Sequence, residues 1–213
     1  MTDIAKNLNS VLESLGSDVT LVAVSKTKPS SDIQLAYEAG HRDFGENKIQ
    51  EMTDKAEELP KDIRWHMIGH VQTNKIKYMA PYVHLIHGCD REKVLKVADK
   101  EGKKNDRVLN VLLQVHIAEE STKFGFSPEE LREFIDSKRW QGYENIQIKG
   151  LMGMATNTDD EVQVKREFDS LNTLYQELRS QLGNQIDTLS MGMSGDFKIA
   201  ISSGSNMVRI GSA

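Results

Sequence analysis

The sequence predicts an α/β chain folded as a single (β/α)8 TIM barrel over residues 1–213, and three observations predict it. Short apolar runs alternate with helical patterns from one end to the other. Eight such strand-like runs can be counted, and no Gly/Ser/Pro-rich linker, low-complexity tract or repeat interrupts them. Strands separated by helices imply right-handed crossovers and a parallel sheet. Eight units favour closure into a barrel, with an open doubly wound sheet as the rival.

The elements follow in order. An opening amphipathic helix carries Ile4, Leu8, Val11, Leu12 and Leu15 and ends at Gly16, a natural helix-stop position. Thr20-Leu-Val-Ala-Val24 is apolar and rich in β-branched residues, as a strand buried on both faces requires. Ile33, Ala36 and Tyr37 then mark a helix that stops near Gly40. Further strands are expected at Asp43–Gly45, Ile63–Ile68, Val83–His87, Val108–His116, Ile146–Met152, Thr188–Met191 and Met207–Ile210. Helical spacing places Ile49/Met52/Ala56/Leu59, Ile76/Met79, Val94/Val97/Ala98 and Leu131/Phe134/Ile135 between them. The longest helix runs through Val164, Phe168, Leu171, Tyr175, Leu178 and Leu182, and the last lies near Phe197–Ile201. Ser127-Pro-Glu-Glu130 is a capping box with proline at the first helical position.

Composition narrows the class of function. The chain has 28% charged and 38% hydrophobic residues and a formal net charge of -5. That mild acidity argues against nucleic-acid binding, which usually shows as a basic stripe. The one cysteine, Cys89, excludes an internal disulfide framework and fits a reducing cytoplasm. The first residues lack the apolar stretch of a signal peptide, and no run approaches the roughly 20 apolar residues needed to span a bilayer. A cytoplasmic protein with no membrane partner is expected.

In such barrels the chemistry sits where strands end. Lys26 directly follows the first apolar strand. Pointing inward it would be desolvated and nucleophilic toward carbonyls, as a Schiff base requires; pointing outward it would be a snorkelling lysine. Gly192-Met-Ser194-Gly195 after strand seven, with Ser194 at an N-cap, forms a candidate anion site, and Asp196 is expected to face the helix-start amides. Arg209-Ile-Gly211-Ser212 after strand eight adds a guanidinium, a glycine and a hydroxyl. An amine for an aldehyde and a cradle for a phosphate describe a pyridoxal phosphate site, and equally a Schiff-base aldolase acting on a sugar phosphate. His66 and His70 share the spacing of a helical metal pair but straddle a strand end and Gly69, so no metal is expected. His84, His87 and His116 read as hydrogen-bonded core or rim residues, and neither a P-loop nor a G-x-G-x-x-G motif is present.

The run Ala23-Val-Ser-Lys26-Thr-Lys28, with Phe44-Gly-Glu-Asn47, Trp65-His-x-Ile-Gly69, Gly150-Leu-Met152, Leu189-Ser-Met-Gly-Met-Ser-x-Asp196 and Met207-Val-Arg-Ile-Gly-Ser212, resembles the pyridoxal phosphate homeostasis proteins (YggS-like, PROSC-like). The resemblance spans most of the chain in the family's order. It implies a barrel related to the N-terminal domain of alanine racemase, without the racemase's second β-domain. It implies pyridoxal 5'-phosphate held as a Schiff base on Lys26. The phosphate would lie on Ser194, Gly211 and Ser212, with Arg209 near the pyridine nitrogen and Asn47 and His66 beside the ring. An arginine there would leave the ring nitrogen unprotonated and weaken the cofactor as an electron sink. Lys28 and Lys123 match family lysines with a role in cofactor transfer or secondary binding, or are simply solvated. The chain stops at Gly211-Ser-Ala213, where the family usually continues through a further short apolar segment and a terminal basic stretch.

Three functions follow from this reading. The first is a non-catalytic, monomeric carrier that buffers pyridoxal phosphate and delivers it to apoenzymes that depend on it. The second is a racemase-like enzyme, disfavoured because racemisation needs a base on each face of the substrate and no tyrosine stands at a strand end. The third is a Schiff-base lyase acting on sugar phosphates.

Overall fold

The computed structural model describes residues 2–120 and 124–211. Its strands are β1 (Thr20–Val24), β2 (Asp43–Glu46), β3 (Arg64–Met67), β4 (Leu85–Cys89), β5 (Leu109–Gln114), β6 (Ile146–Met152), β7 (Thr188–Met193) and β8 (Met207–Ile210). All neighbours pair in parallel in sequence order, and β8 returns to β1, so the sheet closes. The open-sheet alternative is thereby excluded.

Helix α1 (Asp3–Ser14) precedes β1, and the others follow their strands: α2 (Ser30–Glu38), α3 (Ile49–Glu58), α4 (Ile76–Met79), α5 (Glu92–Lys104), α6 (Pro128–Asp136), α7 (Glu161–Leu182) and α8 (Phe197–Ser202). The capping box at α6 forms as its sequence requires: the Glu130 amide donates to Ser127 Oγ at 3.1 Å, and the Ser127 amide to Glu130 Oε2 at 2.8 Å. Three expectations shift. Leu12 lies outside the core at 41% exposure, and Val108 stays outside β5 at 55%. Strand β4 runs two residues further than expected, through a register shift between Ile86 and Cys89, and this buries Cys89 completely. Burial, then the charge of Asp90, pushes the Cys89 thiol up, so it is an inert core residue.

Alternation along each strand sorts side chains into two compartments. Leu21, Trp65, Met67, Val111, Leu189 and Val208 belong to the apolar layer between sheet and helices. Val22, Leu85, Leu112, Met152 and Met207 form a separate cluster inside the barrel, topped by Ile68 and Met154. The same interior also takes His66, His87, Ser190 and Arg209, all nearly or wholly excluded from solvent. Barrel interiors of this fold are usually filled by branched apolar residues, so four polar ones require partners.

Candidate functional site

At the C-terminal ends of the strands lies a cavity of about 840 Å³. That size suits a small-molecule ligand. Lys26, Thr27 and Lys28 line it from the β1 end, Asn47, Gly69 and His70 from the β2 and β3 ends, and Ser194, Gly195, Arg209 and Gly211 from the β7 and β8 ends. Of the residues singled out in the sequence, Lys26, Asn47, Ser194, Arg209 and Gly211 thus share one cavity, and so does Lys28. Ser212 and Lys123 lie outside the described residues.

The loop after β1 is held by a buried ion-pair cluster. Lys55 of α3 donates to the Ser25 carbonyl at 2.9 Å, to Glu46 Oε1 at 2.7 Å and to Glu51 Oε1 at 2.8 Å. Glu51 also accepts the Thr27 amide at 2.6 Å. That contact helps hold Thr27 at φ 63°, a left-handed conformation that β-branched residues rarely adopt. Lys26 sits just before this fixed turn. It is exposed at the mouth rather than desolvated inside the barrel, because it follows the last strand residue into the loop.

Asn47 is positioned by close backbone approach. A side chain at Gly69 would collide with the Asn47 backbone carbonyl, so only glycine lets the β2 and β3 ends converge there. On the opposite rim the Gly211 amide donates to Ser194 Oγ at 3.4 Å, tying the β7 and β8 loops together. The expected N-cap role of Ser194 falls instead to Asp196. Its carboxylate accepts the Met193 amide at 2.6 Å, an amide of the preceding turn rather than of the helix start. With only six residues in α8, loop amides and the Ser194 hydroxyl are the donors offered to an anion, and a helix dipole adds little.

His66, expected beside a ring in the mouth, does not line the cavity. Alternation on β3 turns it into the barrel interior, fully buried, with its Nε2 3.0 Å from Asp43 Oδ1. His70 is at the mouth, stacked on Phe124 with ring centroids 4.1 Å apart and 3.0 Å from Asp90. The two histidines therefore lie at different levels, His66 inside the barrel and His70 at its mouth. Asp43, His66 and His84 do bring three ligand-type atoms within 4.8 Å of one another. Arg64, however, donates from Nε to Asp43 Oδ1 at 2.7 Å and from a terminal nitrogen to Oδ2, so this carboxylate already has its cation. The sequence reading weighed His70 at the end of strand three only as half of a metal pair; its stacking partner Phe124 escaped that reading, since nothing in the spacing marks residues so far apart as neighbours.

Burial pushes the Asp43 carboxyl up, but hydrogen bonds from Arg64 and His66 outweigh it and hold the group well below the usual carboxylate range. The folded state thus keeps Asp43 ionised at a pH where the unfolded chain takes up a proton. Its stabilisation is complete above about pH 5 and is lost as pH falls through about 4 and below. Urea unfolding measured between pH 5 and 3 should show this loss, and Asp43→Asn should flatten it. An unchanged acid slope in the variant would refute the assignment.

The profile of the alanine racemase N-terminal domain family matches residues 1–213. A pyridoxal phosphate homeostasis protein of Vibrio cholerae is 42% identical over 202 residues, covering 92% of this chain and 84% of that protein. Another from Pasteurella multocida is 39% identical over 201 residues, covering 92% of this chain and 85% of that one. The chain belongs to the pyridoxal phosphate homeostasis protein family. Among solved structures, PipY of Synechococcus elongatus without pyridoxal phosphate superposes with a TM-score of 0.91 at 33% identity, covering 98% of both chains. The same protein with pyridoxal phosphate bound gives 0.87 at 32% identity, again covering 98% of both chains. An alanine racemase of Clostridium difficile shares the fold alone: 16% identity, TM-score 0.78, with 99% of this chain covering 55% of that one. The family resemblance read from the motifs therefore holds. Within this family frame, the donor set of the mouth fits a phosphorylated aldehyde: a primary amine on Lys26, hydroxyl and amide donors on the β7–β8 rim, and the Arg209 guanidinium.

Proposed function

We propose that this chain binds pyridoxal 5'-phosphate in the mouth cavity as a Schiff base on Lys26, and that it buffers and delivers the cofactor without catalysing a reaction of its own. The observation that carries this reading is the presence of Lys26 in the same cavity as Ser194, Gly211 and Arg209. Asn47 would flank the ring, Ser194, Gly211 and Ser212 would hold the phosphate, and Arg209 would face the pyridine nitrogen. When bound, the cofactor supplies an electron-withdrawing ring. A permanently protonated guanidinium at its nitrogen would weaken that property, which suits storage better than catalysis.

Absence of turnover is also favoured by what the mouth offers. No tyrosine lines the described cavity, and His70 is engaged by Asp90 and Phe124. Residues 1–213 would act as one binding domain, as a cytoplasmic monomer, with pyridoxal phosphate-dependent apoenzymes as recipients. Lys28, which lines the same cavity, would take part in transfer. In keeping with a location away from the bilayer, no helix among the described residues is long and apolar enough to cross a membrane.

The test is the visible spectrum of the purified protein with pyridoxal phosphate, followed by borohydride reduction and peptide mass mapping. A band that vanishes on reduction, with a phosphopyridoxyl group on Lys26, supports the site. No band at saturating cofactor overturns it, and steady turnover of amino acids would overturn the carrier role.

A further inference from the structure

The polar residues of the barrel interior form one continuous column. Asp43 Oδ1 lies 3.0 Å from His66 Nε2, and His66 Nδ1 lies 2.9 Å from His87 Nε2. His87 Nδ1 lies 3.0 Å from Ser190 Oγ, which accepts from Arg209 at 2.6 Å. Arg209 also donates to the Gly153 carbonyl at 3.1 Å and, at 3% exposure, borders the mouth cavity. The column begins near the N-terminal end of the barrel and crosses its interior from β4 to β7.

Its protons can be placed from both ends. A guanidinium only donates, so Ser190 Oγ is the acceptor in that contact. The Ser190 hydroxyl hydrogen, buried with the rest, then finds its partner in His87 Nδ1. At the other end an ionised Asp43 only accepts, so His66 carries its proton on Nε2. Neutral His66 then accepts at Nδ1 from His87 Nε2–H, which again leaves His87 Nδ1 as an acceptor. The two ends agree on one pattern, with every donor pointing from Arg209 toward Asp43. A proton added to either ring would set two N–H groups face to face or strand the Ser190 hydroxyl hydrogen. Burial, then the neighbouring His66 and the charge of Arg209, likewise hold His87 well below its ordinary value.

We propose that Asp43, His66, His87 and Ser190 are positioning residues that lock the Arg209 guanidinium against the floor of the mouth cavity, leaving its remaining N–H donors for the ligand. The proposal rests on the pyridoxal phosphate reading for the identity of that ligand, but the column itself does not. It makes residues at the far end of the barrel part of the site without touching its contents.

Histidine side-chain ¹H–¹⁵N spectra of the full chain test the column first, without cofactor. Neutral rings with Nε2–H on both His66 and His87 are expected, and a charged ring or an Nδ1–H form on either overturns it. Ser190→Ala then removes the donor to His87 and the acceptor of Arg209. The His87 ring signals should change, and the cofactor should bind about tenfold more weakly, as loss of a hydrogen bond to a charged group implies. Asp43→Asn is the second variant, at the opposite end. It should move the pH midpoint of the cofactor's visible band by about 0.5 unit or more, a readout that a purely structural role would leave in place. Wild-type band and affinity in both variants would overturn the positioning role. Both expected ring forms in a protein that never develops a band would uphold the column and defeat the cofactor reading alone.

Discussion

Lys26→Ala should abolish the borohydride-reducible linkage completely. Its amine is carried on the turn that follows β1, which is fixed by Glu51 and by the left-handed Thr27. Ser194, Gly211 and Arg209 remain, so the variant should still take up pyridoxal phosphate reversibly. Losing the covalent bond while keeping the other contacts should weaken binding roughly 10–100-fold, about 1.4–2.8 kcal/mol. Equilibrium dialysis with and without reduction separates the two modes. A reducible linkage that persists in Lys26→Ala would transfer the anchor to another amine, with Lys28 the first to map because it lines the same cavity.

Lys55→Met should lower global stability by about 3–5 kcal/mol, the cost of leaving a buried charge without its partner. Glu46 is wholly buried between the sheet and α3; its Oε1 takes both the Lys55 ammonium and the Ser25 hydroxyl, the latter at 2.5 Å. Its Oε2 has no hydrogen-bond partner among the described residues, so nothing else compensates the carboxylate. Burial already pushes the Glu46 carboxyl up, against the pull of Lys55 and Ser25. Urea unfolding of Lys55→Met, and of Lys55→Met combined with Glu46→Gln, checks the cause. The second change should recover much of the loss, since an amide needs no counter-charge. A double variant as unstable as the single one would trace the effect to packing instead. The single variant should also loosen the Ser25–Thr27 turn and hence the reach of Lys26.

Periodicity carried the barrel because apolar strands separated by amphipathic helices have few other ways to bury both sheet faces. It also located the mouth, since strand ends are where apolar runs stop. It was least informative for polar residues inside strands. Lys55 lies three residues after Met52 on the buried side of α3, yet in sequence it reads as part of a charged helix face. Glu46 closes β2 pointing outward toward that helix, and only the fold shows that the two meet. The family resemblance puts His66 beside the ring in the mouth; the two-residue period of β3 instead turns it inward beneath the cavity. His87 and Ser190 are 103 positions apart, so no local signal connects them.

That separation has a bearing on how the chain reaches its native state. Contacts between distant segments form late, after the loop-closure entropy has been met. A nascent chain ending after β4 would already hold His66 and His87, but Ser190 and Arg209 arrive only with β7 and β8. Until then the inward side of the partial sheet carries imidazoles whose partners have not been made, and dry collapse of that surface is penalised. The polar column therefore completes its hydrogen bonds only when the last two strands close the ring.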